Sequence, residues 1–257
     1  MSIFTANLMD DKVVLVTGGG TGIGKGIAKL FGQHGAKVVI ASRKQDVLDA
    51  TAAELQADNI DCAGCVCDIR DYSSVEALIK FVLQRYGQLD VVVNNAAGNF
   101  PASVDQLSAN GFRTVVDIDL NGTFNVTKAA FEHYLKANGG AVVNITAPFA
   151  GWGVAYQAHA AAAKAGIDSL TRSCAVEWQP LGIRVNAVAP GSVAATEGTA
   201  RLSEALVGEG AQTLDCEAED IANTVLFLAS DAAKFISGEI IRVDSASGVD
   251  MLHMPVH

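Results

Sequence analysis

VTGGGTGIGKG, residues 16–26, directly follows a short run of β-branched residues and precedes a helical pattern. A glycine triplet alone is a weak signal, but between a strand and a helix it is typical of a phosphate-binding turn. Gly18 permits the tight turn, Gly22 lets the backbone approach a pyrophosphate, and Gly24 allows close helix packing. The free N–H groups at the helix N-terminus would bind the anion. We therefore expect a dinucleotide site here, with a merely structural glycine turn as the alternative.

Beyond this turn, strand-like and helix-like stretches alternate along the chain. We predict a helix over about 22–34 and strands at residues 12–18, 36–42, 61–68, 89–98, 140–146, 183–191 and 239–243. The strands are continuous apolar runs, which indicates burial on both faces and hence a parallel sheet. Right-handed βα units then predict an α/β fold, a single-domain Rossmann-type doubly wound parallel sheet of about seven strands with helices on both faces.

No linker or repeat divides the chain, so we expect one domain over residues 1–257. The segment from about 191 to 216 is rich in glycine, alanine, serine and threonine. A long connection of this composition is often a mobile lid over a binding site. We therefore expect this segment to flank the substrate.

The charge and the cysteines limit the partners and the compartment. The formal net charge is −10, from 28 acidic and 18 basic residues, which disfavours a nucleic-acid binder. No apolar run is long enough to span a membrane, and we find neither a secretory signal nor a peroxisomal tripeptide, so we expect a cytoplasmic protein without a membrane partner. CAGCVC, residues 62–67, has a CxxC spacing without a second ligand pair. We therefore expect small core residues there and no metal.

The residues after the second predicted strand indicate which nicotinamide cofactor is bound. The stretch ASRK, residues 41–44, has no acidic residue to hold a ribose 2′-hydroxyl. Ser42 and Arg43 suit a 2′-phosphate instead, and Lys25 could add positive charge. NADP(H) is therefore the expected cofactor, with a solvated Arg43 as the alternative.

Five motifs in this order resemble the short-chain dehydrogenase/reductase family, from about residue 10 to 244. They are TGGGTGIG (17–24), CD (67–68), NNAAG (94–98), Lys164 and RVNAVAPG (184–191). The resemblance implies a nicotinamide cofactor, with Asp68 at the adenine. It also implies cofactor contacts from Gly18, Thr21, Gly22, Ile23, Gly24, Ser42, Arg43, Asp68, Asn95, Ala96, Ala97, Gly98, Lys164, Pro190, Gly191 and Val193.

The chain departs from this family at three of four catalytic positions. Most members use asparagine, serine, tyrosine and lysine; here Lys164 remains, while the others become Asp119, Ala147 and Ala160. Tyr156 is an alternative proton donor, but it lies eight residues before Lys164, about 12 Å along a helix axis.

His159 adjoins the vacant tyrosine position in the sequence. Successive side chains on a helix point about 100° apart, so His159 would face away from the vacancy. We therefore expect a structural histidine with satisfied hydrogen bonds rather than a catalytic acid.

Loss of the tyrosine fits reduction of a conjugated thioester. Reduction of a ketone leaves an alkoxide that needs a nearby proton donor. Hydride addition to the far end of a diene instead moves charge to the thioester oxygen, and the proton goes to carbon. Such a reaction needs oxyanion donors and a placed acid or water, but no tyrosine at a carbinol oxygen.

One branch of the family, the peroxisomal-type 2,4-dienoyl-CoA reductases, is similar over further stretches. They are AAGNF (96–100), DIDLNGTFNV (117–126), VNIT (143–146), HAAAAKAGIDSLTRSCAVEW (159–178) and TEG (196–198). This resemblance implies hydride transfer from NADPH to C5 and protonation at the α-carbon, giving 3-enoyl-CoA in unsaturated fatty acid β-oxidation. Lys164 would hold the nicotinamide ribose and a water, and Asp119 would order that water or act through it. A purely structural Asp119 is the alternative.

The same branch implies an acyl-CoA substrate and a homotetramer. Arg43, Arg70 and Arg201 would lie near the phosphates of the substrate and Phe100 near the acyl chain, although each arginine could be merely solvated. The tetramer would form through helices around 120–137 and 155–180. VDSASG, residues 243–248, departs from the usual DGG of the family.

Two further readings stay open. The chain could reduce another enoyl thioester, an enone or a carbonyl compound, or it could be a catalytically silent NADP(H)-binding protein. Retention of Lys164 and its helix argues against a catalytically silent protein. The fold alone cannot decide the function.

Overall fold

Seven parallel strands form the sheet of this protein. The computed structural model describes residues 4–194 and 216–246. Its strands are β1 (Val13–Thr17), β2 (Lys37–Ser42), β3 (Cys62–Val66), β4 (Val91–Asn94), β5 (Gly140–Ile145), β6 (Ile183–Pro190) and β7 (Ile240–Val243). Their order is β3-β2-β1-β4-β5-β6-β7, and every neighbouring pair is parallel. The predicted fold class is confirmed. The strand order reverses between β1 and β4, where such sheets bind ligands.

Helices cover both faces of the sheet. They are α1 (Gly22–Gln33), α2 (Gln45–Ala57), α3 (Tyr72–Tyr86), α4 (Ala109–Val116), α5 (Gly122–Ala130), α6 (Ala158–Trp178) and α7 (Ala218–Ala229). Two π-helical segments, Asp117–Asn121 and Phe131–Leu135, follow α4 and α5, and a last turn covers Lys136–Asn138. Short 3-10 turns cover Pro148–Gly151, Gln179–Leu181 and Asp231–Ala233.

Alternate residues of each central strand enter two different cores. Val14 and Val16 of β1 pack with α1 and α7, while Val13 and Leu15 pack with α3 and α5. All four side chains are fully buried. This two-sided burial explains why the strands read as continuous apolar runs rather than alternating ones.

The predicted strand at 89–98 is too long at its end, because β4 stops at Asn94. The backbone after it leaves the sheet, and the N–H of Gly98 donates to the Asp119 side chain at 2.7 Å instead of to a neighbouring strand. The residues after β4 therefore belong to the candidate site rather than to the sheet.

The cysteines of β3 divide between the two faces, as their spacing predicts. Cys62 lies in the core with α1, while Cys65 and Cys67 pack on the other face. Within residues 4–194 and 216–246, no three histidine, cysteine, aspartate or glutamate side chains are grouped as metal ligands would be. In the same part of the chain, no helix combines the length and apolar character that a bilayer crossing requires.

Candidate active site

The glycine-rich turn after β1 has the geometry that a bound phosphate requires. Gly18 has a φ of +65° and Gly22 a φ of +51°, a region that side-chain-bearing residues rarely adopt. A Cβ on Gly24 would collide with the carbonyl oxygen of Gly18. Thr21, the N-cap of α1, makes no side-chain capping bond, and the first turn carries no acidic residue. The N-terminal N–H groups of α1 are therefore available to an anion.

The loop after β4 is bound to this turn by its polar atoms. The backbone N–H groups of Asn95 and Ala96 both donate to Thr17 Oγ1, at 3.0 and 3.1 Å. The Asn95 side chain donates to the carbonyl oxygens of Thr17 and Gly18 at 3.0 and 3.3 Å. Asn95 is thus a structural link, and its backbone and that of Ala96, Ala97 and Gly98 line the carboxyl edge of the sheet.

The carboxyl ends of β2 and β3 carry a group of charged residues. Arg70 contacts Asp68 through an ion pair of 2.5 Å, with its Nε also donating to the same carboxylate at 2.9 Å. The hydrogen bonds from Arg70 hold the pKa of Asp68 below its usual value, and the nearby charge of Arg43 acts in the same direction. Both Arg43 and the Arg70 side chain are solvent-exposed. Predicted nucleotide-binding residues from two strands are therefore neighbours here.

Two other predicted cofactor residues have local partners. Ser42 Oγ exchanges long contacts of 3.4 Å with the backbone of Lys44, which shapes the turn into α2. Lys25 is paired with Glu54 at 2.5 Å, so its charge is already engaged.

Asp119 is buried at the inner end of this crevice, only 1% exposed, on the π-helical segment after α4. Its Oδ1 accepts from the Gly98 N–H at 2.7 Å, and its Oδ2 lies 3.2 Å from Lys164 Nζ. A π-helical turn is rare and often occurs at functional sites. The segment therefore joins the loop after β4 to the lysine on α6.

Lys164 lies in the second turn of α6 and is also buried. Its ammonium group donates to the carbonyl oxygen of Ile145 at 3.1 Å, besides its contact with Asp119. An ammonium group has three N–H donors. Two have partners in the described part of the chain, so one remains for a ligand.

The alanines at the tyrosine and serine positions are buried beside this pair. Ala160 is 2% exposed and Ala147 is 8% exposed. Ala160 lies four residues before Lys164, one helical turn away on the same face. No hydroxyl is therefore offered at either position.

Tyr156 and His159, the two residues that could replace the missing tyrosine, lie just before Ala160 in the sequence. Tyr156 precedes α6, is 45% exposed and has a φ of +64°, with its carbonyl oxygen accepting from the Ala102 N–H at 3.0 Å. His159 is fully buried, with its ring edge-on to Phe100 at 4.6 Å between ring centroids. Neither ring nitrogen of His159 has a hydrogen-bond partner among the described residues. His159 is therefore buried as a structural histidine would be, but the described residues supply no partner for its ring nitrogens.

Sequence reasoning missed Asn99 and Gln157, which join the same region. Asn99 Nδ2 donates to Gln157 Oε1 at 2.6 Å, bridging the loop after β4 and the start of α6. Asn99 lies within the matching stretch AAGNF, which was the only signal for it, and the sequence analysis assigned no role to Gln157.

Asp168 lies one turn after Lys164 on α6. Burial raises the pKa of its carboxyl group, while a hydrogen bond from Thr146 and the charges of Arg172 and Lys164 act in the opposite direction. Asp168 is therefore a second carboxylate near Lys164, one helical turn further along α6 and bonded to Thr146 at the end of β5.

The described residues on either side of the segment after β6 contact each other. The Gly191 N–H donates to the carbonyl oxygen of Val243 at 2.9 Å, and Val193 forms a β-bridge with Cys216. Pro190, Gly191 and Val193 thus lie at the carboxyl edge of β6 as predicted. Arg201, the TEG stretch and most of the predicted lid lie outside the described residues, so the lid stays a prediction.

Comparison with known proteins identifies relatives over nearly the whole chain. Residues 18–246 match the family model described as enoyl-(acyl carrier protein) reductase. The Rattus norvegicus peroxisomal 2,4-dienoyl-CoA reductase, described as (3E)-enoyl-CoA-producing, is 41% identical over 252 residues, which cover 95% of this chain and 86% of that protein. A probable 2,4-dienoyl-CoA reductase of Bacillus subtilis, described as (2E)-enoyl-CoA-producing, is 39% identical over 246 residues, 92% of this chain and 96% of that one.

Solved structures agree in fold. The citronellol catabolism dehydrogenase of Pseudomonas aeruginosa superposes with a TM-score of 0.85 at 36% identity, covering 96% of this chain and 99% of that one. An actinorhodin polyketide ketoreductase with NADPH gives a TM-score of 0.88 at 29% identity, covering 95% of this chain and all of that one. The names of these structures span different substrates, so the fold leaves the substrate open.

Proposed function

Because this chain belongs to the short-chain dehydrogenase/reductase family, we propose that it is an NADPH-dependent reductase of 2,4-dienoyl-CoA that forms 3-enoyl-CoA. The family makes it an oxidoreductase that uses a nicotinamide cofactor. The observation that carries the finer proposal is the buried Asp119–Lys164 pair next to alanines at the tyrosine and serine positions. Relatives at about 40% identity with this activity in their names support the same substrate class.

The residues around the turn after β1 fit a bound dinucleotide. The uncapped N-terminus of α1 receives the pyrophosphate, and the positive φ of Gly18 and Gly22 brings the backbone close to it. Arg43 binds the 2′-phosphate, which a bidentate guanidinium suits. Asp68 faces the adenine, and the third N–H of Lys164 holds the nicotinamide ribose. The NADPH-bound ketoreductase with the same fold supports this cofactor.

The reaction divides into a hydride step and a proton step. The reduced nicotinamide, when bound, supplies a hydride to C5 of the dienoyl thioester. The electrons of both double bonds then move toward the thioester, whose oxygen takes up the negative charge. A proton joins the α-carbon, which leaves one double bond between C3 and C4. No alkoxide forms, so no tyrosine is needed at a carbinol oxygen.

Asp119 and Lys164 supply the proton through a water molecule. Because both carboxylate oxygens have fixed partners, the side chain is held in one orientation. Asp119 orders the water against the α-carbon, and the water gives one of its protons to that carbon. The hydroxide that remains takes a proton from the Lys164 ammonium group, which regains one from solvent. The two buried alanines leave room for a planar conjugated chain.

The coenzyme A end of the substrate is assigned to basic residues. Arg70 and Arg43 lie at the carboxyl ends of neighbouring strands, and Arg201 follows β6 in the sequence. The guanidinium groups of Arg70 and Arg201 bind the phosphates of coenzyme A, next to Arg43 on the 2′-phosphate of the cofactor, although Arg70 must share its donors with Asp68. Phe100 packs against the acyl chain.

A homotetramer and a cytoplasmic location complete the proposal. Phe124 of α5 lies in a groove with the stacked rings of Phe131 and Trp178 and is 46% exposed, and Val176 of α6 is an exposed apolar residue at 78%. A second copy of this chain would cover this apolar face. Cys62, Cys65, Cys67 and Cys174 are free thiols, which supports a reducing compartment.

The direct test measures NADPH oxidation with 2,4-hexadienoyl-CoA, acetoacetyl-CoA and crotonyl-CoA at equal concentration. We expect turnover with the dienoyl substrate alone and a 3-enoyl product by NMR. A 2-enoyl product would move the protonation from the α-carbon to C4. Turnover with crotonyl-CoA would favour a simple enoyl-thioester reductase, a reading that the description of the matching family model also suggests. No turnover despite NADPH binding would favour a silent binding protein or another enone.

A further inference from the structure

Three side chains beside the candidate active site leave four buried polar atoms without hydrogen-bond partners among the described residues. These atoms are Asn99 Oδ1, Gln157 Nε2 and both ring nitrogens of His159. Gln157 and His159 are fully buried. Buried polar groups in native proteins almost always have a partner, and an unpaired one is costly. Several together indicate a partner that is not part of the described chain.

Two contacts join the loop after β4 to the start of α6 at these residues. Asn99 donates to Gln157 at 2.6 Å, and Phe100 packs edge-on against His159 at 4.6 Å. We name Asn99, Gln157 and His159 the polar cluster.

Two members of the polar cluster are close in the sequence to residues that contact or form the Asp119–Lys164 pair. In the loop, Asn99 directly follows Gly98, whose N–H donates to Asp119. On α6, His159 lies five residues before Lys164, about 7.5 Å along the helix axis. All three residues therefore lie on the two elements that contact the Asp119–Lys164 pair.

The donors and acceptors among these atoms limit the chemical class of the ligand. Gln157 Nε2 is a donor, Asn99 Oδ1 an acceptor, and a neutral imidazole offers one of each. No charged side chain belongs to the cluster, so it suits an uncharged carbonyl better than a phosphate. Phe100 covers one side with an apolar ring, as a flat acyl chain requires.

We propose that the polar cluster binds the thioester carbonyl of the substrate, with a ring N–H of His159 donating to the thioester oxygen. This inference rests on the proposed function. During hydride addition the oxygen gains negative charge, so this hydrogen bond strengthens as the reaction proceeds. Gln157 acts through its bond to Asn99 and its free N–H to orient the same carbonyl. The donor thus comes from the residue next to the vacant tyrosine position.

His159→Phe is the sharpest variant, because it keeps an aromatic ring against Phe100 and removes both nitrogens. We expect kcat with 2,4-hexadienoyl-CoA to fall about a hundredfold, as for loss of one oxyanion donor. The melting temperature of the ligand-free protein should stay the same or rise, since two unpaired buried groups disappear. His159→Gln, which retains an N–H donor, should recover part of the activity. Tyr156→Phe, at an exposed neighbour, is the matched control and should change neither quantity.

A binding measurement separates this inference from the proposed function. The probe is 2,4-hexadienoyl-CoA with 13C at the thioester carbon, bound together with NADP+ so that no reduction takes place. A hydrogen bond to the carbonyl moves its resonance downfield in the wild type. In His159→Phe the resonance should return toward that of the free thioester, and in His159→Gln it should lie between.

The outcomes are distinct. An unchanged downfield resonance in His159→Phe, or a lower melting temperature with unchanged kcat, overturns the role of His159 and leaves the proposed function intact. Failure of the wild type to bind the dienoyl probe overturns the proposed function and this inference with it. If neither variant folds, the wild type with 15N-labelled histidine decides. A ring resonance must move with the dienoyl probe, and the same movement with unacylated coenzyme A would overturn the assignment to the thioester.

Discussion

The Asp119 carboxylate is held between Lys164 Nζ, 3.2 Å from one oxygen, and the backbone N–H of Gly98, 2.7 Å from the other. The three groups come from the π-helical segment after α4, from α6 and from the loop after β4. The pair is buried, so its charges are weakly screened. Removing either partner leaves the other uncompensated, which ties the chemistry of this site to its stability.

Asp119→Asn should reduce turnover with the dienoyl substrate about 10²- to 10⁴-fold, because the ordered water loses its charged partner. The NADPH dissociation constant should change little. Unpairing Lys164 should also lower the free energy of unfolding by about 3–5 kcal/mol. Asp117→Asn is the matched control, since Asp117 lies on the same segment and accepts a hydrogen bond from Asn121 at 2.8 Å. Unchanged turnover in Asp119→Asn would reject its role.

Ala160→Tyr should reduce dienoyl-CoA turnover about tenfold or more, because the ring fills space that we assign to the substrate. Ala160 is buried, while Ala162 lies on the exposed face of the same helical turn. Ala162→Tyr is therefore the control and should retain activity. Steady-state kinetics together with NADPH titration separate a blocked acyl site from a lost cofactor site. Faster turnover in Ala160→Tyr would mean that the vacancy has no part in this reaction.

Arg43→Ala should weaken NADPH binding about 10- to 100-fold, the value of a charged hydrogen bond to the 2′-phosphate. NADH lacks that phosphate, so its affinity should stay nearly constant. Fluorescence titration with both cofactors measures the ratio. Lys44→Ala, at the exposed neighbouring residue, serves as the control. An equal loss for both cofactors would remove the assignment of NADPH to Arg43.

Alkylation of the native thiols should be slow at pH 8 and rise with pH. Burial raises the pKa of Cys62, Cys67 and Cys174 to about 11. At pH 8 about one thiol in a thousand is therefore ionised, and the reactive thiolate increases about tenfold per pH unit until pH 11. Iodoacetamide labelling followed by peptide mass spectrometry measures each site. The denatured chain, with ordinary thiol pKa values, should label rapidly. Equal rates in both states would contradict the burial of these residues.

Val176→Glu should dissociate the homotetramer into smaller species. The charge would be placed at an apolar surface that we assign to contact between copies, and burying it unpaired is costly. Val104→Glu is matched in exposure, 74% against 78%, and lies in the loop before α4 rather than on α5 or α6, so it should leave the assembly intact. Size-exclusion chromatography with light scattering gives the masses. A monomeric wild type would contradict the assembly itself.

The sheet could be predicted because its signal is local. Each strand is a continuous apolar run, and the glycine turn after β1 has a recognisable spacing. The end of β4 could not be predicted, because Gly98 binds Asp119, 21 residues further along the chain. A contact of that separation leaves no periodic pattern in either stretch.

In the candidate site, too, residues with a local sequence signal could be predicted and contacts between distant parts of the chain could not. Lys164 and the alanines were found by their positions relative to known motifs, and Asp119 by its place in DIDLNGTF. The lack of hydrogen-bond partners at the His159 ring could not be predicted from the sequence. It depends on Phe100 and on a loop from another part of the chain that folds against this ring. The ion pair between Asp68 and Arg70 depends on a loop conformation that neither residue type specifies.

Asp119 lies on a π-helical turn inside an otherwise continuous rod of α4 and α5. A π-helical turn holds one residue more than the α-helical turn it replaces, and one residue corresponds to about 100° of rotation. Deleting a single codon between positions 117 and 121 would let this stretch close into an ordinary α-helical turn, so that the flanking helices keep their relative orientation and only the residues of the π-helical turn shift. The aspartate would then leave the lysine while both flanking helices kept their own sequences. The buried ion pair between Asp119 and Lys164 is therefore one deletion away from being lost in a chain of the same fold.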